Sequence, residues 1–215
     1  MSFLSRLLGS KPVSSPAGAQ LDERLLALEK ESERARPGYR GTALNKAGDL
    51  ALKGDLKPRA IAYYGRAIDA FLEDGQREAA RGVANKIIRV HPKAVRTLCT
   101  LTWLDLAARH TATAMLHLRD YVVAAKEIGE SELAGQQIYK MARFAYQPEF
   151  LGAAADALDM LDLEARATEV REWSARNGSP VSATSPEELA DACLAAAIRS
   201  SKRKGSDPAG DGADG

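Results

Sequence analysis

The sequence predicts an all-α protein of short antiparallel helices, paired and stacked into a small α-solenoid with flexible termini. Three observations predict it. Apolar residues recur at intervals of three and four from Leu21 to Trp173. Alanine is abundant, β-branched residues are sparse, and no alternating stretch reaches strand length. The breaks between apolar runs are two to five residues long, so consecutive helices must double back on one another.

Composition bounds the function classes. Of 215 residues, 45% are apolar and 27% charged, enough for a real core and against wholesale disorder. Thirty Lys and Arg against 29 Asp and Glu leave a net charge of +1, which argues against a dedicated polyanion binder but not against a local basic face. Cys99 and Cys193 make no disulfide framework. They read as small buried hydrophobes in a reducing compartment, with a pairing between them left open. No run approaches the roughly eighteen apolar residues of a membrane span, and the first ten residues are too short for a secretory signal. A cytoplasmic location is expected.

Residues 1–19 hold a short amphipathic segment, with Phe3, Leu4, Leu7 and Leu8 around Arg6, and a linker carrying Pro12 and Pro16. The segment could meet a membrane or a partner; its brevity favours a frayed end or a cap over the first helices. The helical domain spans residues 20–178. Leu21, Leu25 and Leu28 stripe the first helix, which Pro37 and Gly38 end. A second helix, from Tyr39 to Lys53, places Ala43, Leu44, Ala47, Leu50 and Ala51 on one face and closes at Gly54-Asp55. Pro58 suits the first turn of a third, which runs to Asp74 with Ala60, Ile61, Tyr64, Ala67, Ile68 and Phe71 as its broad face. After Gly75 a fourth runs from Gln76 to Val90 over Ala80, Val83, Ala84 and Ile87, stopping at His91-Pro92. Val95, Leu98, Leu101 and Leu104 mark a fifth; Ala112, Met115, Leu116, Val122 and Val123 a sixth, ending at Gly129. Leu133, Ile138, Met141 and Ala142 mark a seventh, before Pro148. Phe150, Leu151, Ala154, Ala157 and Leu158 mark an eighth, and Leu163, Ala167, Val170 and Trp173 a ninth. Residues 179–200 contain a linker and a C-terminal helix that Ser185 and Glu188 would cap as a box. Residues 201–215 read as a disordered polar tail.

Between Gly41 and Asp74, Leu44, the Ala47-Gly48 pair, Ala51, Ala60, Tyr64 and Ala67 fall at the spacings of a 34-residue helix pair. This segment resembles the tetratricopeptide repeat family, and the resemblance fades toward residue 128. Gly48 and Ala60 would sit where two helices cross, and Tyr64 and Phe71 would fill volume against the following helix. Ala80, Ala84, Ile87 and Pro92 resemble a second unit. Since Ala60 and Ala80 lie only twenty residues apart, either the Pro58–Asp74 helix serves two units or the register breaks. The resemblance implies a non-catalytic module that holds a peptide or partner protein in a concave groove.

Chemistry is poorly supported. His91, His110 and His117 are the only histidines, and neither cysteine has a histidine near it in sequence. His91 suits a helix end, and Asp156, Asp159 and Asp162 suit a wet face and a helix cap. No glycine string cradles a phosphate, so neither metal nor cofactor is expected. Charge is uneven, with twelve basic against seven acidic residues over 41–109 and seven against eleven over 110–178. The basic half includes Lys46, Lys53, Lys57, Arg59, Arg77, Arg81, Lys86, Lys93 and Arg96, and an acidic partner would be steered to it. Nucleic acid is the alternative partner, a helical-scaffold enzyme the third reading, and self-association a further expectation. The plainer view of these charges is local pairing, as of Asp49 with Lys53. The candidate groove residues are Asn45 and Asn85, suited to gripping a peptide backbone, with Tyr63 as an exposed aromatic and Arg66 and Arg89 beside them. Trp103 and Trp173 are read as packing between helices; Tyr139, Phe144 and Tyr146 would close the distal half.

Overall fold

The computed structural model describes residues 16–145 and 147–176. The segment before residue 16, Tyr146, Cys193, the helix expected after Ser185 and the polar tail lie outside the described residues. Those described form nine α-helices and no strand: α1 (Pro16–Arg34), α2 (Arg40–Lys53), α3 (Lys57–Glu73), α4 (Arg77–Val90), α5 (Val95–Ala107), α6 (Thr111–Glu127), α7 (Ser131–Phe144), α8 (Pro148–Met160) and α9 (Glu164–Ala175). Sequential helices pack antiparallel, most closely in the pairs α2/α3, α5/α6 and α8/α9.

Side chains bridge alternate helices, so the stack has two layers. Asp22 and Glu29 of α1 meet Arg59 and Arg66 of α3 at 2.5 and 2.9 Å, equal steps that make the two helices parallel. Asp69 of α3 meets Arg96 of α5, and Glu132 of α7 meets Arg166 of α9. In the other layer Asp49 of α2 holds Lys86 of α4, and α6 packs on α8.

Five joints share one geometry. Asp55, Gly75, Arg109, Gly129 and Asp162 take positive φ, from 56° to 76°. The next N–H in each joint bonds a carbonyl five residues back: Leu56 to Ala51, Gln76 to Phe71, His110 to Asp105, Glu130 to Ala125 and Leu163 to Leu158, at 2.8–3.0 Å. This is the left-handed helix stop that satisfies orphaned carbonyls. At their other ends, helices α2–α9 carry no side-chain N-cap hydrogen bond.

Five residues after each stop stands an alanine: Ala60, Ala80, Ala114, Ala134 and Ala167, none more than 1% exposed. There the returning helix lies against the one it has just left, and a small side chain allows the close approach. These joints recur alternately after 20 and 33 or 34 residues. The Ala60–Ala80 spacing is therefore regular, and α3 packs on both α2 and α4. A uniform 34-residue period is not what orders the stack.

In the core, Gly48 of α2 admits the ring of Tyr64, and Gly41 admits that of Phe71. Both rings thus fill space against α2 rather than only against the following helix. The Tyr64 hydroxyl donates to Asp49 at 2.7 Å, and Lys86 of α4 sits 5.4 Å from the ring centroid. Further along, Trp103 of α5 is fully buried and meets Phe144 of α7 edge-on at 6.2 Å, while Tyr139 packs on Trp173 at 5.3 Å.

Candidate interaction groove

A groove of about 930 Å³ opens between α3, α5 and α7. Ile61, Gly65 and Ile68 form one wall, spaced to share the face of α3 turned away from α1. Thr97, Cys99 and Thr100 of α5 line it further in, and Leu133 and Gln137 of α7 line the opposite wall. Ile128 and Leu133 are 57% and 41% exposed and both line it, so apolar surface is grouped at this groove, the arrangement that marks interaction sites. Arg66, Lys93 and Arg96 border the groove, each already holding a carboxylate: Glu29, Glu127 and Asp69. Glu130 also lines it and pairs with no basic side chain among the described residues.

Tyr121 lines this groove although only 3% exposed. Burial, then the neighbouring Cys99 and Glu130, push its hydroxyl well above the ordinary phenol range; burial and Asp49 push Tyr64 the same way. An acid whose folded pKa is raised supports the fold below its unfolded pKa and loses that support as pH rises. Stability should therefore fall above about pH 10, by up to about 1.4 kcal/mol per pH unit for Tyr121 alone. Urea titrations at pH 9, 10 and 11 check this, and the Tyr121→Phe protein should show the shallower fall.

The five candidate residues do not converge on one groove. Tyr63, expected to be exposed, is only 5% exposed because α1 covers that face of α3. The Arg66 guanidinium lies 5.8 Å from its ring centroid. Arg66 is exposed and lines the α3–α5–α7 groove. Asn45 is half-buried in the other layer, where its side-chain carbonyl accepts from Lys86 at 2.9 Å. Asn85 is half-buried and Arg89 exposed on α4. Asp49, expected to pair with Lys53, instead holds Lys86 at 2.6 Å, because the layer brings α4 against that face.

One polar cluster escaped the sequence. Asp105 of α5 has no exposed side-chain surface, and His117 of α6 donates from Nδ1 to its Oδ2 at 2.7 Å. Arg81 and the His110 ring lie 3.7 and 3.9 Å from Oδ1, which accepts no hydrogen bond. His110 and His117 thus both approach one carboxylate across the α5–α6 turn. A charged residue inside an apolar helix was the available signal.

Basic residues of the first half are largely spoken for. Lys57, Arg59, Arg66, Arg81, Lys86, Lys93 and Arg96 all hold carboxylates. Asp156 and Asp159 meet Arg171, as a solvated face would, while Asp162 forms a joint rather than a cap. Among the described residues no three His, Cys, Asp or Glu are placed to hold a metal ion, and no helix is long and apolar enough to cross a membrane.

The fold and its groove define an all-α helical-repeat protein. Compared with protein-family models, curated proteins and solved structures, the chain matches none of them.

Proposed function

We propose that this chain is a non-catalytic, tetratricopeptide-like interaction module that holds a short apolar segment of a partner protein in the α3–α5–α7 groove. The observation that carries this reading is the exposure of Ile128 and Leu133 on the rim of a cavity of peptide-binding size. Apolar walls would take the partner's side chains, and Thr97, Gln137 and Glu130 would supply polar contacts along the rim and floor. The reading places the protein in the cytoplasm, where an adaptor or assembly role fits. Because the basic rim is already neutralised, an apolar segment is favoured over a strongly acidic one.

The test is selection of peptides from a displayed library on the full chain, followed by calorimetry with the enriched peptides. Leu133→Glu should weaken binding at least about tenfold, since a carboxylate on the wall must be desolvated by an apolar ligand. Leu26→Glu, on exposed α1, should leave it unchanged. Binding that ignores Leu133→Glu, or that is seen only for nucleic acid and collapses with salt, would refute the groove reading.

A further inference from the structure

We propose that the segment held in the α3–α5–α7 groove is an extended strand carrying one lysine or arginine, whose cation pairs with Glu130 while Gln137 and Thr97 bond its backbone. The inference rests on the groove being a peptide-docking surface, and names the chemistry of what docks there.

Three observations carry it. The first is charge. Arg66, Lys93 and Arg96 along the groove each hold a carboxylate, and Asp69 is the partner of Arg96. Glu130 is half-buried and, among the described residues, stands without a cation. It follows burial and Cys99 among the causes that raise the Tyr121 pKa, so its charge acts on the inside of the groove. A partly desolvated carboxylate gains most from a charge-assisted bond that a ligand brings. The second observation is a pair of buried polar side chains. Gln137 and Thr97 are only 7% and 8% exposed, line the groove, and bond to no other described residue. Buried polar groups are hydrogen-bonded as a rule, so these two await partners from outside. The Gln137 amide presents a donor and an acceptor side by side, the complement of the C=O and N–H of a peptide chain. A helical ligand uses those groups internally; an extended one offers them.

Spacing is the third. Glu130, Leu133 and Gln137 lie three and four residues apart and so share one face of α7 and its N-cap. At about 1.5 Å of rise per residue, Glu130 and Gln137 stand about 10 Å apart along the helix. About three residues of extended chain cover that distance. The basic residue is therefore about three positions from the peptide unit that Gln137 holds, with an apolar side chain on Leu133 between them. Ile61 and Ile68 bound the groove opposite, and a Cβ at Gly65 between them would meet nothing within 4 Å, which leaves room for the strand.

Peptides selected from a displayed library on the full chain are the probe. Those enriched on the native chain should carry one lysine or arginine at a fixed position. Exchanging it for norleucine should weaken binding at least about fivefold by calorimetry. Glu130 makes no side-chain cap bond at the start of α7, so Glu130→Gln leaves the helix as it is. On that variant the norleucine exchange should change affinity less than about twofold, and Glu130→Lys should enrich an aspartate or glutamate at the same position. N-methylation of the peptide bond about three residues away should weaken binding about tenfold on the native chain and little on Gln137→Leu. Enriched peptides without a basic residue, or norleucine and N-methyl losses that are the same with and without the Glu130 and Gln137 side chains, would overturn the proposal. The groove stays intact in that event if Leu133→Glu still abolishes binding. Should no peptide be enriched, or Leu133→Glu leave binding unchanged, the groove reading itself falls and this inference with it.

Discussion

Gly48→Val should lower stability by about 3 kcal/mol, at the top of the range for overpacked cores. A Cβ at Gly48 would run into the Cδ1 and Cε1 atoms of Tyr64, and valine adds two methyl groups beyond it. The ring cannot retreat. It is fully buried, its hydroxyl is fixed on Asp49, and Lys86 lies over it. Valine's better helix propensity returns only a few tenths of a kcal/mol. For a helical domain of this size the melting temperature should drop by about 6–12 °C, followed by circular dichroism at 222 nm. Gly82→Ala is the control: nothing lies within 4 Å of a Cβ there, and the alanine should add about 1 kcal/mol. Loss of stability in both variants would mean that the α2–α3 contact is not what the Gly48 substitution disturbs.

His117→Ala should cost about 1–3 kcal/mol, the range for leaving a buried acceptor without its hydrogen bond, and toward the upper end because the acceptor is a carboxylate. The Asp105 carboxylate has no exposed surface and would lose its only hydrogen bond. Arg81 stays too far, at 3.7 Å, to donate one without moving. The double replacement Asp105→Leu/His117→Leu should recover most of the loss, because neither polar group is then stranded. Urea denaturation of Asp105→Leu, His117→Leu and the double closes the cycle. Additive losses would show that Asp105 and His117 are not coupled.

Helix boundaries were legible in the chain because local chemistry sets them. Pro37, Pro58, Pro92 and Pro148 restrict the backbone beside them, and Gly75 and Gly129 supply left-handed stops. Observed ends fall within a residue or two of those expected at most joints. The same logic picked out Gly48, Ala60 and Tyr64, whose spacing carries the α2–α3 contact. Asp55, Arg109 and Asp162 were less visible as stops, since no residue type there demands positive φ.

The candidate surface was much less legible. Periodicity identifies one buried face per helix, yet α3 buries a second against α1, which is why Tyr63 is covered rather than exposed. The Asp49–Lys86 pair joins residues 37 apart, and Asp105–His117 spans a joint, so neither has a local spacing to betray it. The groove itself gathers residues from Ile61 to Gln137.

By itself the sequence determined the helices, their order and their antiparallel return, all products of short-range backbone preference and amphipathic period. Which faces meet, which charges pair and where the concavity opens were decided by the tertiary structure. Those depend on the rotation accumulated from helix to helix along the stack, a quantity that no single segment encodes.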